Sequence, residues 1–153
     1  MKLILILTFL ILLNSCGFKR ISQNNNLFFL QKITIEGDKR ISQILRNNIL
    51  VVSNKKSVDK YELKLKIKRE RRDKIKNISG KITRYTLFLN TNLSFKNIKN
   101  QKTITKSFSQ NTDYEVEDIH SNTVRNEKKA SNMLTEALSD KIINFINFSL
   151  KNK

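Results

Sequence analysis

The stretch Tyr61-Glu62-Leu63-Lys64-Leu65-Lys66-Ile67-Lys68 alternates apolar and charged side chains without a break. A period of two matches an extended strand, whose successive side chains point to opposite faces. This segment is therefore a half-buried strand with a wet, positive side. A second alternation runs over residues 82–95. It places Tyr85, Leu87, Leu89, Leu93 and Phe95 on one side and Arg84, Thr86, Asn90, Asn92 and Ser94 on the other. Residues 103–110 form a third, with Ile104 and Phe108 pointing inward. Residues 69–77 read as a charged connection and residues 97–102 as a hairpin turn. Three consecutive alternating strands joined by polar turns predict an antiparallel meander. The chain has no proline and three glycines, so its turns must rely mostly on Asn, Asp, Ser and Lys.

Two helices flank this core of strands. Lys32-Ile33-Thr34-Ile35-Glu36 reads as a short strand that Gly37-Asp38 ends, and Asp38 suits a helix N-cap. Residues 39–52 then place Ile41, Ile44, Leu45, Ile49 and Val52 at helical spacing. Near the C-terminus, Ala130, Met133, Leu134, Ala137, Leu138, Ile142, Phe145 and Ile146 mark one long amphipathic helix. It starts near Glu117 or Ser121 and ends near Leu150, with Met133 as core filler. Counted from Glu117, it would reach ~50 Å, longer than the sheet beneath it, so one end is expected to protrude or curve. The order β-α-β-β-β-α predicts an α+β two-layer sandwich, with two helices packed on a four-stranded, mostly antiparallel sheet. The opposite sheet face, rich in Lys, Asn, Ser and Thr, faces solvent or a partner.

The N-terminus carries a separate message. One lysine, an apolar run from Leu3 to Leu13, and Ser15 precede Cys16, the only cysteine. That is the layout of a secretory signal ending at a lipidation cysteine. The run is short for a spanning helix, which needs roughly 20 apolar residues. Leu13 and Ser15 fit a lipobox, and Asn14 is atypical of one. Gly17 differs from the aspartate that favours inner-membrane retention. The chain divides into a signal peptide (residues 1–15), a lipidated N-terminus and tether (16–30) and a single α+β domain (31–153). Within the tether, Leu27-Phe28-Phe29-Leu30 is either a packed arm or a short edge segment. With one cysteine there is no internal disulfide, so packing must supply the stability.

The formal net charge is +17. Export argues against a nucleic-acid partner. Lysine enrichment beside Asn and Ile fits an AT-rich coding bias on solvated surfaces. Outside the cytoplasm the matching anions are phospholipid headgroups, lipopolysaccharide phosphates and acidic protein surfaces. The densest basic cluster spans Lys64, Lys66, Lys68, Arg69, Arg71, Arg72, Lys74 and Lys76, with Lys81 and Arg84 nearby. It is either a solvated strand face plus a charged loop or a phosphate-contacting surface. In the second case Arg69, Arg71, Arg72 and Arg84 would make the geometric contacts, because guanidinium binds phosphate through two parallel hydrogen bonds. Lys64, Lys66 and Lys81 would add salt-sensitive attraction.

Catalysis is not expected. The single histidine, His120, is placed for a surface or capping role, and no Cys–His pair remains once Cys16 carries lipid. Asp113, Glu115, Glu117 and Asp118 form the one acidic cluster, suited to the positive end of the last helix. They lack the alternating ligands and central glycine of a calcium loop. No metal, cofactor or catalytic residue is expected.

Taken along the chain, Cys16-Gly17-Phe18, Ile33-Thr34-Ile35-Glu36-Gly37-Asp38, Tyr61-Glu62-Leu63, Tyr85-Thr86-Leu87 and the long final helix resemble the LPS-assembly lipoprotein family LptE. The likeness of layout covers nearly the whole mature chain. The family usually has more Gly, Pro and Leu and less Lys. The resemblance implies a lipid-anchored protein on the periplasmic side of the outer membrane. Such a protein plugs an LptD-like β-barrel, helps it assemble, and takes part in delivering lipopolysaccharide to the outer leaflet. Of the functional residues, the resemblance carries over Cys16. The alternative from the residues alone is a stand-alone periplasmic lipoprotein that binds anionic lipid or serves an envelope transporter.

Overall fold

The computed structural model describes residues 28–151. The signal segment, Cys16 and most of the tether lie outside the described residues. Four strands and two helices follow one another as β1 (Phe29–Glu36), α1 (Lys39–Val51), β2 (Lys60–Lys76), β3 (Ile82–Asn97), β4 (Thr103–Glu115) and α2 (His120–Lys151). The sheet order is β1-β2-β3-β4. β1 runs parallel to β2, and the other two pairs are antiparallel. This is the expected α+β sandwich.

The turns form where the side chains can hydrogen-bond the backbone locally. Asp38 Oδ1 accepts from the amides of Arg40 (3.0 Å) and Ile41 (3.1 Å) and so opens α1. A cap of this kind contributes about 1 kcal/mol. Asn77 Oδ1 accepts from the amides of Ser79 and Lys81 and from the Ser79 hydroxyl, closing the β2–β3 hairpin. Asn97 does the same for the β3–β4 turn, through the amides of Lys99 (2.8 Å) and Asn100 (3.1 Å).

The alternating residues meet as cross-strand rows beneath the helices. Ile33, Leu63, Phe95 and Ile104 stand side by side across all four strands. Tyr61 stacks on Phe95 with ring centroids 4.5 Å apart, and Phe28 meets both rings edge-on. Phe28 and Leu30 are buried, so the folded body starts ahead of residue 31 and the apolar arm becomes the edge strand β1.

Above the sheet, α1 buries Ile41, Leu45 and Ile49. The stripe Ala130, Leu134, Leu138, Ile142 and Ile146 of α2 is buried beside them. A four-residue step overshoots the 3.6-residue turn by about 40°, so this stripe winds round α2 over a twisted sheet. Met133 falls off the winding stripe and is 54% exposed, which corrects its assignment to the core. Thr135 and Ser139 are buried, and Ser139 meets α1. There Asn48 Nδ2 donates to Ser139 Oγ at 3.1 Å.

Two further expectations are corrected. Residues 69–76 are not a connection; they continue β2, paired with β3 as far as Lys76↔Ile82, with register shifts between Asp73 and Ile75 and between Ile75 and Lys76. Their side chains lack apolar alternation because the facing part of α2 is itself polar. The backbone pairing of an antiparallel ladder needs no apolar side chain to persist. Strands β3 and β4 also run on, to Asn97 and Glu115. At ~3.4 Å per residue β4 reaches ~44 Å, close to the ~48 Å of α2, so the sheet is long enough to match its helix.

Candidate functional site

The long β2–β3 hairpin carries most of the sequence-predicted cations and decides where they point. β1 pairs with β2 only as far as Glu36↔Lys66. From Lys68 to Lys76 the outer edge of β2 therefore has no strand beside it among the described residues. Charged side chains on such an edge discourage pairing with another chain.

Strand alternation splits the basic cluster between two faces. Arg69 and Arg71 stand opposite Leu89 and Leu87 on the helix-covered face. Both reach Glu127 of α2, Arg69 in direct contact and Arg71 at 3.7 Å. The Arg71 guanidinium also lies 4.5 Å from the Tyr85 ring centre. Lys64, Lys66, Arg72 and Arg84 share the open face. There Arg72 lies over Phe88 at 4.6 Å and pairs with Glu70 at 2.9 Å. Arg84 pairs with Glu115 at 2.7 Å, Lys66 with Glu36 at 3.8 Å, and Lys81 with Asp118 at 3.4 Å. Lys64 has no ion pair among the described residues. Each preferred arginine thus already faces a carboxylate, and an incoming phosphate would have to displace it.

The acidic cluster is spent in the same way. Asp113 pairs with Lys74 and accepts from the Thr86 hydroxyl at 2.8 Å, while Glu115 meets Arg84. Asp113 and Glu115 lie on β4, whereas Glu117 and Asp118 directly precede α2, and Glu117 Oε1 accepts from Asn126 Nδ2 of that helix at 3.3 Å; the first turn of α2 itself contains no acidic residue. His120 opens α2 and is exposed.

Lys74, then Thr86, holds the Asp113 carboxyl below the usual carboxylate range. Lys68 and Arg72 do the same for Glu70. A depressed folded-state value means the pairing stabilises above the unfolded value and is lost as pH falls through the folded one. Acidification below pH ~4 should therefore loosen the hairpin before the core. Amide exchange at pH ~5 and ~3, corrected for intrinsic rates, should show lower protection in residues 68–76 and 82–90, with residues 61–65 unchanged.

The middle of the open face on β3 and β4 carries uncharged polar pairs. Ser109 donates to Asn90 Oδ1 at 2.7 Å and Ser107 to Asn92 Oδ1 at 2.9 Å, locking β4 to β3. A shallow depression beside them is lined by Lys66, Asn92, Ser94, Thr105 and Ser107. Among the described residues no group of three His, Cys, Asp or Glu side chains could hold a metal ion. None of the described helices is long and apolar enough to cross a membrane.

Sequence reasoning missed a second basic region. Lys55, Lys56 and Lys60 flank one turn and Lys99 and Lys102 the other. The hydrogen bond from the Ile98 amide to the Lys60 carbonyl, at 3.0 Å, ties the two together. The lysines are some forty residues apart in the chain, so no local motif signals them.

No protein-family model matches the chain, and no curated protein matches it by sequence. Solved structures do resemble it. Rare lipoprotein B from Shewanella oneidensis superposes with a TM-score of 0.61 at 15% identity, covering 79% of this chain and 97% of that one. A protein from Caulobacter crescentus named as a lipoprotein gives 0.56 at 13% identity, covering 79% and 92%. The chain shares the fold of these two lipoproteins.

Proposed function

We propose that this chain is an outer-membrane lipoprotein, anchored through Cys16 on the periplasmic side. In this reading it plugs a large LptD-like β-barrel, assists its assembly and helps deliver lipopolysaccharide to the outer leaflet. It is not an enzyme. One observation carries the reading: the folded body, which matches 97% of the rare lipoprotein B chain, follows a lipobox-like segment ending at Cys16.

The physical design suits a plug. A long, narrow sandwich with one polar sheet face offers hydrogen-bond donors and acceptors to a wet barrel wall. Asn90, Asn92, Ser107 and Ser109 hold that face in one arrangement, so a partner meets preorganised groups and fewer side chains must be ordered on binding. The ion pairs of the hairpin leave few unmatched charges to bury.

Extraction in mild detergent of the tagged full chain should recover one large outer-membrane barrel in near-equal amount. Depletion should lower both that barrel's assembled form and surface lipopolysaccharide. Recovery of the chain alone would overturn the barrel partnership. A Cys16→Ser variant should leave the acylated fraction, read as loss of the mass of the lipid on the N-terminal peptide.

A further inference from the structure

The two turns that carry the missed lysines lie at the end where the N-terminal segment enters the fold. The Phe28 carbonyl accepts from the Asn54 amide at 3.0 Å, and the Phe29 amide donates to the Asp59 carbonyl at 2.9 Å. The β3–β4 turn joins the same end through Lys60. The last turns of α2 return toward it: α2 runs back along β4, and Phe145 meets Phe108 on the way.

This end combines two features. Lys55, Lys56, Lys60, Lys99 and Lys102 are all exposed and have no ion pair among the described residues. The hairpin cations at the other end are, by contrast, largely matched. Asp59 is the one carboxylate in residues 52–60 and 97–102. Next to these lysines in the chain are apolar side chains with little cover, Val58 at 90% and Val51 at 71% exposed, and in the returning last turns of α2 Phe148 is 67% exposed. Exposed apolar groups beside unmatched lysines suit an anionic lipid interface, where the charges meet headgroups and the apolar groups enter just below them.

We propose that this end is a second membrane contact, which seats the domain on the anionic phospholipid surface beside its own anchor. Two observations select that occupant. The charge complements anionic headgroups, and the chain outside the structure enters here, with Cys16 at most about 40 Å from Phe28 along a fully extended backbone. An acyl group at Cys16 would hold these lysines close to the bilayer, within reach of its surface potential. The proposal rests on the anchored reading above and not on the barrel partnership.

Lysine acetylation of the full chain on vesicles, read by mass spectrometry, tests it. Vesicles of phosphatidylglycerol should lower the reactivity of Lys55, Lys56, Lys60, Lys99 and Lys102 at least threefold against phosphatidylcholine vesicles. Lys76 and Lys81 at the far end should not change. About 0.5 M salt should remove the difference, because the Debye length then falls well below 10 Å. A Lys55→Glu/Lys56→Glu/Lys99→Glu/Lys102→Glu variant should melt normally and lose the protection at Lys60. Equal protection at both ends, protection of the hairpin lysines alone, or no difference between the two lipids would overturn the proposal. Flotation with phosphatidylcholine vesicles reads the anchor by itself, so failure of the anchor and failure of the second contact give different results.

Discussion

A Gly37→Ala variant should lose about 3 kcal/mol or more of stability, among the largest effects available to a single methyl group in this chain. Gly37 lies between β1 and the capped start of α1, with φ +132°. L-residues pay ~1–3 kcal/mol to occupy such sparsely populated backbone regions. A Cβ there would also lie 2.5 Å from the Ile67 carbonyl oxygen and 3.1 Å from the Ile67 Cβ. Neither atom can withdraw cheaply, because Ile67 is paired with Thr91 and packed inward. The helix cap and the β1–β2 register would both have to shift. Gly80 is the internal control. Its φ is +79° but nothing lies within 4 Å of the added atom, so Gly80→Ala should cost only ~1–2 kcal/mol of backbone strain. Chemical denaturation of both variants checks the contrast; equal losses would mean that contact with Ile67 contributes nothing.

Leu138→Ala should cost about 3 kcal/mol, within the 2–5 kcal/mol range for emptying a buried leucine site. Leu138 is fully buried in the middle of α2, flanked one turn away on each side by Leu134 and Ile142. Alanine is the better helix former, so the loss belongs to packing and to the cavity left behind, not to helix propensity. For a domain of ordinary stability, ~5–15 kcal/mol, this is a large share. The melting temperature should fall by roughly 10 °C. Met133→Ala, on the same helix but half exposed, should change stability by less than ~0.5 kcal/mol. Thermal melts of the two variants side by side would separate the winding four-residue stripe from a broad apolar face. Comparable losses would restore Met133 to the core.

Much of this architecture is written in local periodicity. The run from Tyr61 to Lys68 can bury one side only as a strand, and its partners in β3 carry the same two-residue period. Asp38, Asn77 and Asn97 announce their turns because their side chains bond backbone amides two to four residues away. What failed did so for a common reason. Residues 69–76 look like a loop because their charges hide the alternation, and the strand persists there through pairing with β3. Met133 looks like core under a broad helical stripe, and the narrower winding stripe depends on the twist of a sheet contributed by distant segments.

The candidate site was legible as composition and not as arrangement. That Arg69 and Arg71 turn under α2 follows from strand parity, but that Glu127 waits there depends on where a helix fifty-odd residues later comes to rest. The amino-acid order by itself determined the elements, their wet and dry faces and the turns, because those rest on interactions within a few residues. Only the tertiary structure decided which cations are matched by carboxylates and which lysines gather unmatched beside the N-terminal entry. Charge pairing acts over a few ångströms of space, and those ångströms are set by register and packing between segments far apart in the chain.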